Sequence, residues 1–208
     1  MMNIMITKKL YSKFILLTLV AMLTACAGDN TKSSAEDASS KQTKSSKQTV
    51  TKSDRDKYRI GITALNNNEL SKAQRIFNEF IRNKPRLAGA YSNLALVHYK
   101  KNEFDKSFKL VNKALELNPK QAQALNLRAQ IYILNGKIHK AKDDYLRAVS
   151  IKPKYKNAQY NLALLYDIYF QEINLAIKHY KIYLSLQKKK DESILEWVKH
   201  LEGTLKDV

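Results

Sequence analysis

The chain has 208 residues, 37 Lys and Arg against 19 Asp and Glu, and a formal net charge of +18. Five glycines and three prolines are too few for many short strands joined by tight turns, and the abundance of straight-chain residues favours helix. A single cysteine, Cys26, excludes an internal disulfide and any cysteine-based metal cluster.

The first residues, MMNIMITKKLYSK, carry Lys8, Lys9 and Lys13 and no acid. An apolar run, FILLTLVAML, follows from Phe14 to Leu23. As helix it would rise about 15 Å, half of a bilayer core, which fits a secretory signal better than a permanent span. It ends in Leu23-Thr24-Ala25-Cys26. These four residues, in this context, resemble the bacterial lipobox. The resemblance implies cleavage before Cys26, diacylglycerol on its sulfur and acylation of the new amine. Two or more chains anchor a protein stably where one does not. Ala27 rather than an aspartate follows the cysteine. The resemblance therefore implies an outer-membrane lipoprotein, facing the periplasm, with residues 1–25 as signal peptide. Residues 27–53 hold seven serines, four threonines and five lysines and no aromatic residue. Such a segment cannot bury enough apolar surface to fold, so 26–53 reads as a lipidated cysteine on a flexible tether spanning about 29 Å on average.

Beyond Ser53 the pattern becomes periodic. Pro85, Pro119 and Pro153 are 34 residues apart. Setting Pro85 at position 32 starts four units at Asp54, Ala88, Ala122 and Lys156, which gives 54–87, 88–121, 122–155 and 156–190. Position 8 is then small in every unit: Gly61, Ala95, Ala129 and Ala163. Position 20 holds Ala73, Ser107 and Ala141, and position 24 holds the bulkier Phe77, Val111 and Tyr145. Position 11 holds Ala64, His98, Tyr132 and Tyr166, and position 27 holds Phe80, Ala114 and Ala148. Asn68, Asn102 and Gly136 fall at the mid-unit turn, where a left-handed residue is needed to end a helix.

On these residues 54–190 resembles the tetratricopeptide repeat family. The resemblance implies an all-α fold, a right-handed superhelical solenoid of helix–turn–helix units. The fourth unit departs from the frame: one residue is inserted near Tyr169-Phe170-Gln171, so distortion is expected there, with Ala176, Tyr180 and Tyr183 resuming the pattern. In 191–208, Asp191 is a candidate N-cap, and Ile194, Trp197, Val198, Leu201 and Leu205 recur on one face. This reads as a C-terminal capping helix, with Trp197 as its core anchor.

Members of this family bind peptides or helices in a concave groove lined by the first helix of each pair. Carried over position by position, the groove would comprise Tyr58, Ile62, Leu65, Ser92, Asn93, Leu96, Tyr99, Asn126, Gln130, Ile133, Tyr160 and Leu164. Tyrosines and aliphatics suit a protein or peptide partner. The clamp by which some members grip a C-terminal carboxylate is not expected. Asn93 in the second unit fits it, but Tyr58 and Ile62 stand at positions 5 and 9 of the first unit, and Gln123 and Leu127 replace the basic pair of the third.

No GxGxxG, Walker loop, HExxH or CxxC occurs, the four histidines are widely spaced, and no carboxylate pair is set for acid–base work. A non-catalytic protein without cofactor or metal is expected. His98 reads as packed and His139 as lying in a turn. Residues 54–208 carry 29 of the cations and 16 of the acids, with many of the cations on second helices and junction loops. The expected function is a membrane-anchored scaffold or adaptor for envelope proteins. The layout resembles pilus-biogenesis lipoproteins and adaptors of cell-wall hydrolases. The alternative is a peripheral binder of anionic lipid or cell-wall polymer through a basic convex surface. Nucleic acid fits the charge but neither the envelope address nor the aromatic residues, which follow the repeat frame.

Overall fold

The computed structural model describes residues 51–205. Cys26, the signal segment and most of the tether lie outside them. The described residues form α1 (Lys52–Asn66), α2 (Leu70–Asn83), α3 (Ala88–Lys100), α4 (Phe104–Leu117), α5 (Ala122–Leu134), α6 (Ile138–Ile151), α7 (Lys156–Leu165), α8 (Ile173–Ser185) and α9 (Glu192–Thr204). Among them no helix is long and apolar enough to cross a membrane. Each helix packs on the next, and first helices also meet, α1 with α3 and α3 with α5. This is the all-α repeat architecture expected from the sequence.

The start differs by a few residues. Thr51–Ser53, read as the end of the tether, form the cap and first turn of α1. The Thr51 hydroxyl accepts from the Asp54 backbone N–H at 3.1 Å, and the Thr51 N–H donates to Asp54 at 2.8 Å. This reciprocal capping box satisfies two otherwise orphaned donors and extends the helix backwards. The Thr51 hydroxyl and amide, with Lys84 nearby, lower the Asp54 carboxyl to about 2.

The small positions do what the frame requires of them. The Ser107 hydroxyl donates to the Ala95 carbonyl at 2.8 Å, so position 20 of one helix touches position 8 of its partner. At Gly61 an added Cβ would lie 2.9 Å from Ile76 Cγ2 and 3.1 Å from the Phe77 ring. Three turns close on left-handed residues as expected, Asn68 (φ 62°), Asn102 (φ 60°) and Gly136 (φ 68°). Buried side chains form successive clusters along the stack. Phe77 of α2 packs with Leu94 and Val97 of α3. Val111 of α4 packs with Leu125 of α5, and Tyr145 of α6 with Leu162 of α7. Each cluster draws on consecutive repeats, so one repeat completes the core of its neighbour.

In the fourth repeat α7 runs into a π-helical segment, Tyr166–Phe170, which ends at Gln171 in the left-handed region (φ 54°). A π turn absorbs one extra residue without breaking the helix, which is how the insertion expected here is accommodated. Ala176 and Tyr180 are buried and Tyr183 is half-buried.

The capping helix packs through Ile194, Val198 and Leu201, and the Asp191 carboxylate caps it by accepting from the Ile194 N–H at 3.3 Å. Trp197, expected as its core anchor, is instead 39% exposed, and Leu205 is exposed too. The Trp197 indole N–H donates to Asp167 Oδ2 at 2.7 Å, and that same oxygen accepts from the Tyr180 hydroxyl at 3.0 Å. An indole N–H cannot be buried without an acceptor, and its acceptor here lies at the surface. His98 is buried as expected. His139 is not in a turn but in the first turn of α6, with its ring edge on Phe170.

Candidate first-helix binding face

Neighbouring first helices are joined by side-chain hydrogen bonds, each of which involves at least one residue read as groove lining. Asn93 Nδ2 donates to the Tyr58 hydroxyl at 2.8 Å, and Asn161 Nδ2 donates to Asn126 Oδ1 at 3.0 Å. Both pairs are 35 residues apart, position 5 of one unit to position 6 of the next. At the middle junction position 6 is Leu127, which has nothing to donate. There Gln121 Nε2, at the N-cap of α5, donates to the Ser92 hydroxyl at 3.0 Å. Tyr58 is held further by edge-on contacts with Phe77 and Phe80, and burial pushes its hydroxyl up to about 12. Gly89 leaves room for it: a Cβ there would meet the Tyr58 oxygen at 2.5 Å.

These bonds divide the expected groove residues. Leu65, Ser92 and Asn126 are buried and present little surface. Tyr58 and Asn93 are half-buried and occupied with each other. Gln130 donates to the Asn126 carbonyl at 3.3 Å. Ile62, Leu96, Tyr99, Ile133, Tyr160 and Leu164 are half-buried, resting on the core clusters with part of each side chain outside. The sequence reading missed two more. Leu134 and Ile168 stand at position 13 of the third and fourth units, a position expected to line the groove although neither residue was named for it, and are 53% and 42% exposed. With Tyr169 and Trp197 they place exposed apolar side chains on the later repeats. Among the described residues no group of His, Cys, Asp and Glu is arranged to hold a metal ion.

A family model described as the second ARM domain of tetratricopeptide repeat protein 21 matches residues 21–136, and a tetratricopeptide repeat model matches residues 122–155. The chain belongs to the tetratricopeptide repeat family. No curated protein matches it. Among solved repeat structures, PilF of Pseudomonas aeruginosa aligns with a TM-score of 0.63 at 18% identity, over 74% of this chain and 69% of that one. A thermophilic repeat protein of Thermus thermophilus aligns at 0.57 and 19%, over 70% of this chain and 79% of that one. The first repeat domain of Spaghetti, solved with an HSP90 peptide, SRMEEVD, aligns at 0.51 and 19%, over 57% and 92%. At these identities the likeness is one of fold.

Proposed function

We propose that this chain is a non-catalytic adaptor, held at the cell envelope by lipid on Cys26, whose first-helix face takes a protein or peptide segment. The observation that carries the reading is the row of partly exposed aliphatic and aromatic side chains on α3, α5 and α7 with its extension at Leu134 and Ile168. Exposed aliphatics beside a polar ladder of fixed side chains suit an amphipathic partner. The helix-pair fold of Spaghetti holds a peptide in its solved structure, which supports the same use here. A pilus or wider envelope assembly role and an outer-membrane position facing the periplasm belong to this proposal.

The face is tested with Leu134→Lys and Ile168→Lys, both exposed and therefore compatible with folding. A photo-crosslinker placed at Tyr99 in cells should trap a discrete protein, and each lysine variant should cut its yield about tenfold, the effect of one interface hot spot. An unchanged adduct in both variants would place the partner elsewhere. The anchor is tested separately. Cys26→Ser should abolish fatty-acid labelling and move the protein from the membrane to the soluble fraction, while labelling that survives would dismiss the lipobox reading.

A further inference from the structure

The loops joining one repeat to the next are KPRL (84–87), NPKQ (118–121), KPKY (152–155) and LQKKKD (186–191). These 18 residues hold eight cations and one acid. The loops inside the repeats, NNE (67–69), KNE (101–103), NGK (135–137) and QE (171–172), hold two cations and three acids. Helices in such a stack alternate in direction, so the first set lies along one edge and the second along the other. Side-chain bonds follow that division. On the first edge Arg147 reaches the Pro119 carbonyl at 3.4 Å and Lys156 reaches Gln187 at 3.4 Å, while on the second Lys100 reaches Asn68 at 3.5 Å.

The charge on this edge is denser than on the outer helices. The second helices α2, α4, α6 and α8 together carry eleven cations and five acids over 55 residues. Several of their cations are tied down: Lys72 to Glu69, Lys106 to Glu103, Lys113 to Glu116 and Arg147 to Asp144. On the edge Lys84 pairs with Asp54 and Lys190 lies 3.8 Å from Glu192. Arg86, Lys120, Lys154, Lys188 and Lys189 are exposed and have no acidic partner among the described residues. The basic surface expected on the convex side is thus concentrated on a loop edge.

We propose that this edge is a docking surface for an anionic lipid bilayer. Seven of the eight cations are lysines. Lysine is a flexible point charge that suits mobile headgroups, whereas a defined carboxylate or phosphate site favours the planar fork of arginine. The charges sit on protruding loop tips repeated along the stack, a form that meets a surface rather than enclosing a ligand. Docked by this edge, the stack would keep its first-helix face open to a partner. The inference does not depend on acylation of Cys26.

The test uses the full chain carrying Cys26→Ser, so that no acyl group contributes, in co-sedimentation with phosphatidylcholine vesicles with and without phosphatidylglycerol. Neutral vesicles measure whatever the apolar Phe14–Leu23 segment contributes, and the excess on anionic vesicles measures charge. That excess should fall by more than about 100-fold in Lys154→Glu/Lys188→Glu/Lys189→Glu, and vanish at about 1 M salt, where the screening length is about 3 Å. Glutamines at the same three positions should give a smaller fall in the same direction. The same charge change on the second helices, Arg75→Glu/Lys109→Glu/Lys140→Glu, should leave most of the excess in place. An excess that is absent, or that falls equally in both glutamate variants, would overturn the proposal.

Discussion

Replacing Arg128 with methionine is expected to destabilise the protein by about 3–5 kcal/mol. Arg128 stands on α5 with its guanidinium turned towards the second helices. Its Nε and Nη2 donate to the two oxygens of Asp144 on α6 at 2.6 and 2.8 Å, and Nη1 donates to Asn112 on α4 at 2.9 Å. The Asp144 side chain is only 4% exposed. Its bonds to Asp144 hold the guanidinium more firmly protonated than usual, against the opposing effect of burial. Methionine keeps most of the side-chain volume but takes away all three of Arg128's bonds, leaving the buried carboxylate only the longer, half-exposed ion pair with Arg147 at 3.6 Å. A buried charge that loses its bidentate partner costs far more than the remaining exposed ion pair contributes. Arg128→Met/Asp144→Leu should therefore recover most of the loss, because apolar residues of similar volume replace a buried pair at little net cost. Since the three residues join the second repeat to the third, urea unfolding of the single variant should also lose cooperativity and separate into two transitions. A single variant within about 0.5 kcal/mol of the parent would mean that Arg128 and Asp144 act as a surface pair.

Nothing in the 34-residue beat points to that cluster, and the reason is physical. A repeat frame is legible where every unit meets the same constraint: close helix contact at Gly61 and Ala95, a left-handed turn at Asn68 and Asn102. Arg128, Asp144 and Asn112 occur together at one junction only, so no repetition announces them. The polar ladder was partly legible. Tyr58 with Asn93 and Asn126 with Asn161 keep one 35-residue offset, but assigning first-helix positions to a groove treats every side chain as free, and bonds between neighbouring first helices take up Tyr58, Ser92, Asn93 and Asn126. Trp197 shares its helical face with Ile194, Val198 and Leu201, and a helical wheel does not show where the buried face stops; Asp167, thirty residues away, decided it. At Thr51 the Ser/Thr/Lys-rich composition outweighed a local signal that was present, Thr51 three residues before Asp54. The insertion at Tyr169-Phe170-Gln171 could be counted from the sequence, but its form as a π turn could not.

Position 24 offers the sharpest test of how the stack holds together, because the same role is filled by Phe77 in the first repeat and Tyr145 in the third. Either residue replaced by alanine should cost about 3–5 kcal/mol, yet the two should unfold different lengths of chain. Phe77 is fully buried, edge-on to Tyr58 and packed with Ala64, Leu65, Leu94 and Val97. Its repeat has a folded neighbour on one side only among the described residues. In a stack whose stability is a sum of repeat and nearest-neighbour contributions, that cost exceeds what one terminal repeat can hold, and the first helix pair should open alone. Hydrogen exchange in Phe77→Ala should lose protection across α1 and α2 while α4 to α9 keep theirs, and Asn93 should lose its tyrosine partner. Tyr145 lies between two neighbours, in the cluster that also contains Leu162, Tyr180 and the cap residues Val198 and Leu201. Tyr145→Ala should therefore lower protection from α5 to α9 together. Equal loss of protection along the whole chain in both variants would show a single cooperative unit. The first-helix face would then form or vanish as a whole, rather than being presented by the later repeats when the first one opens.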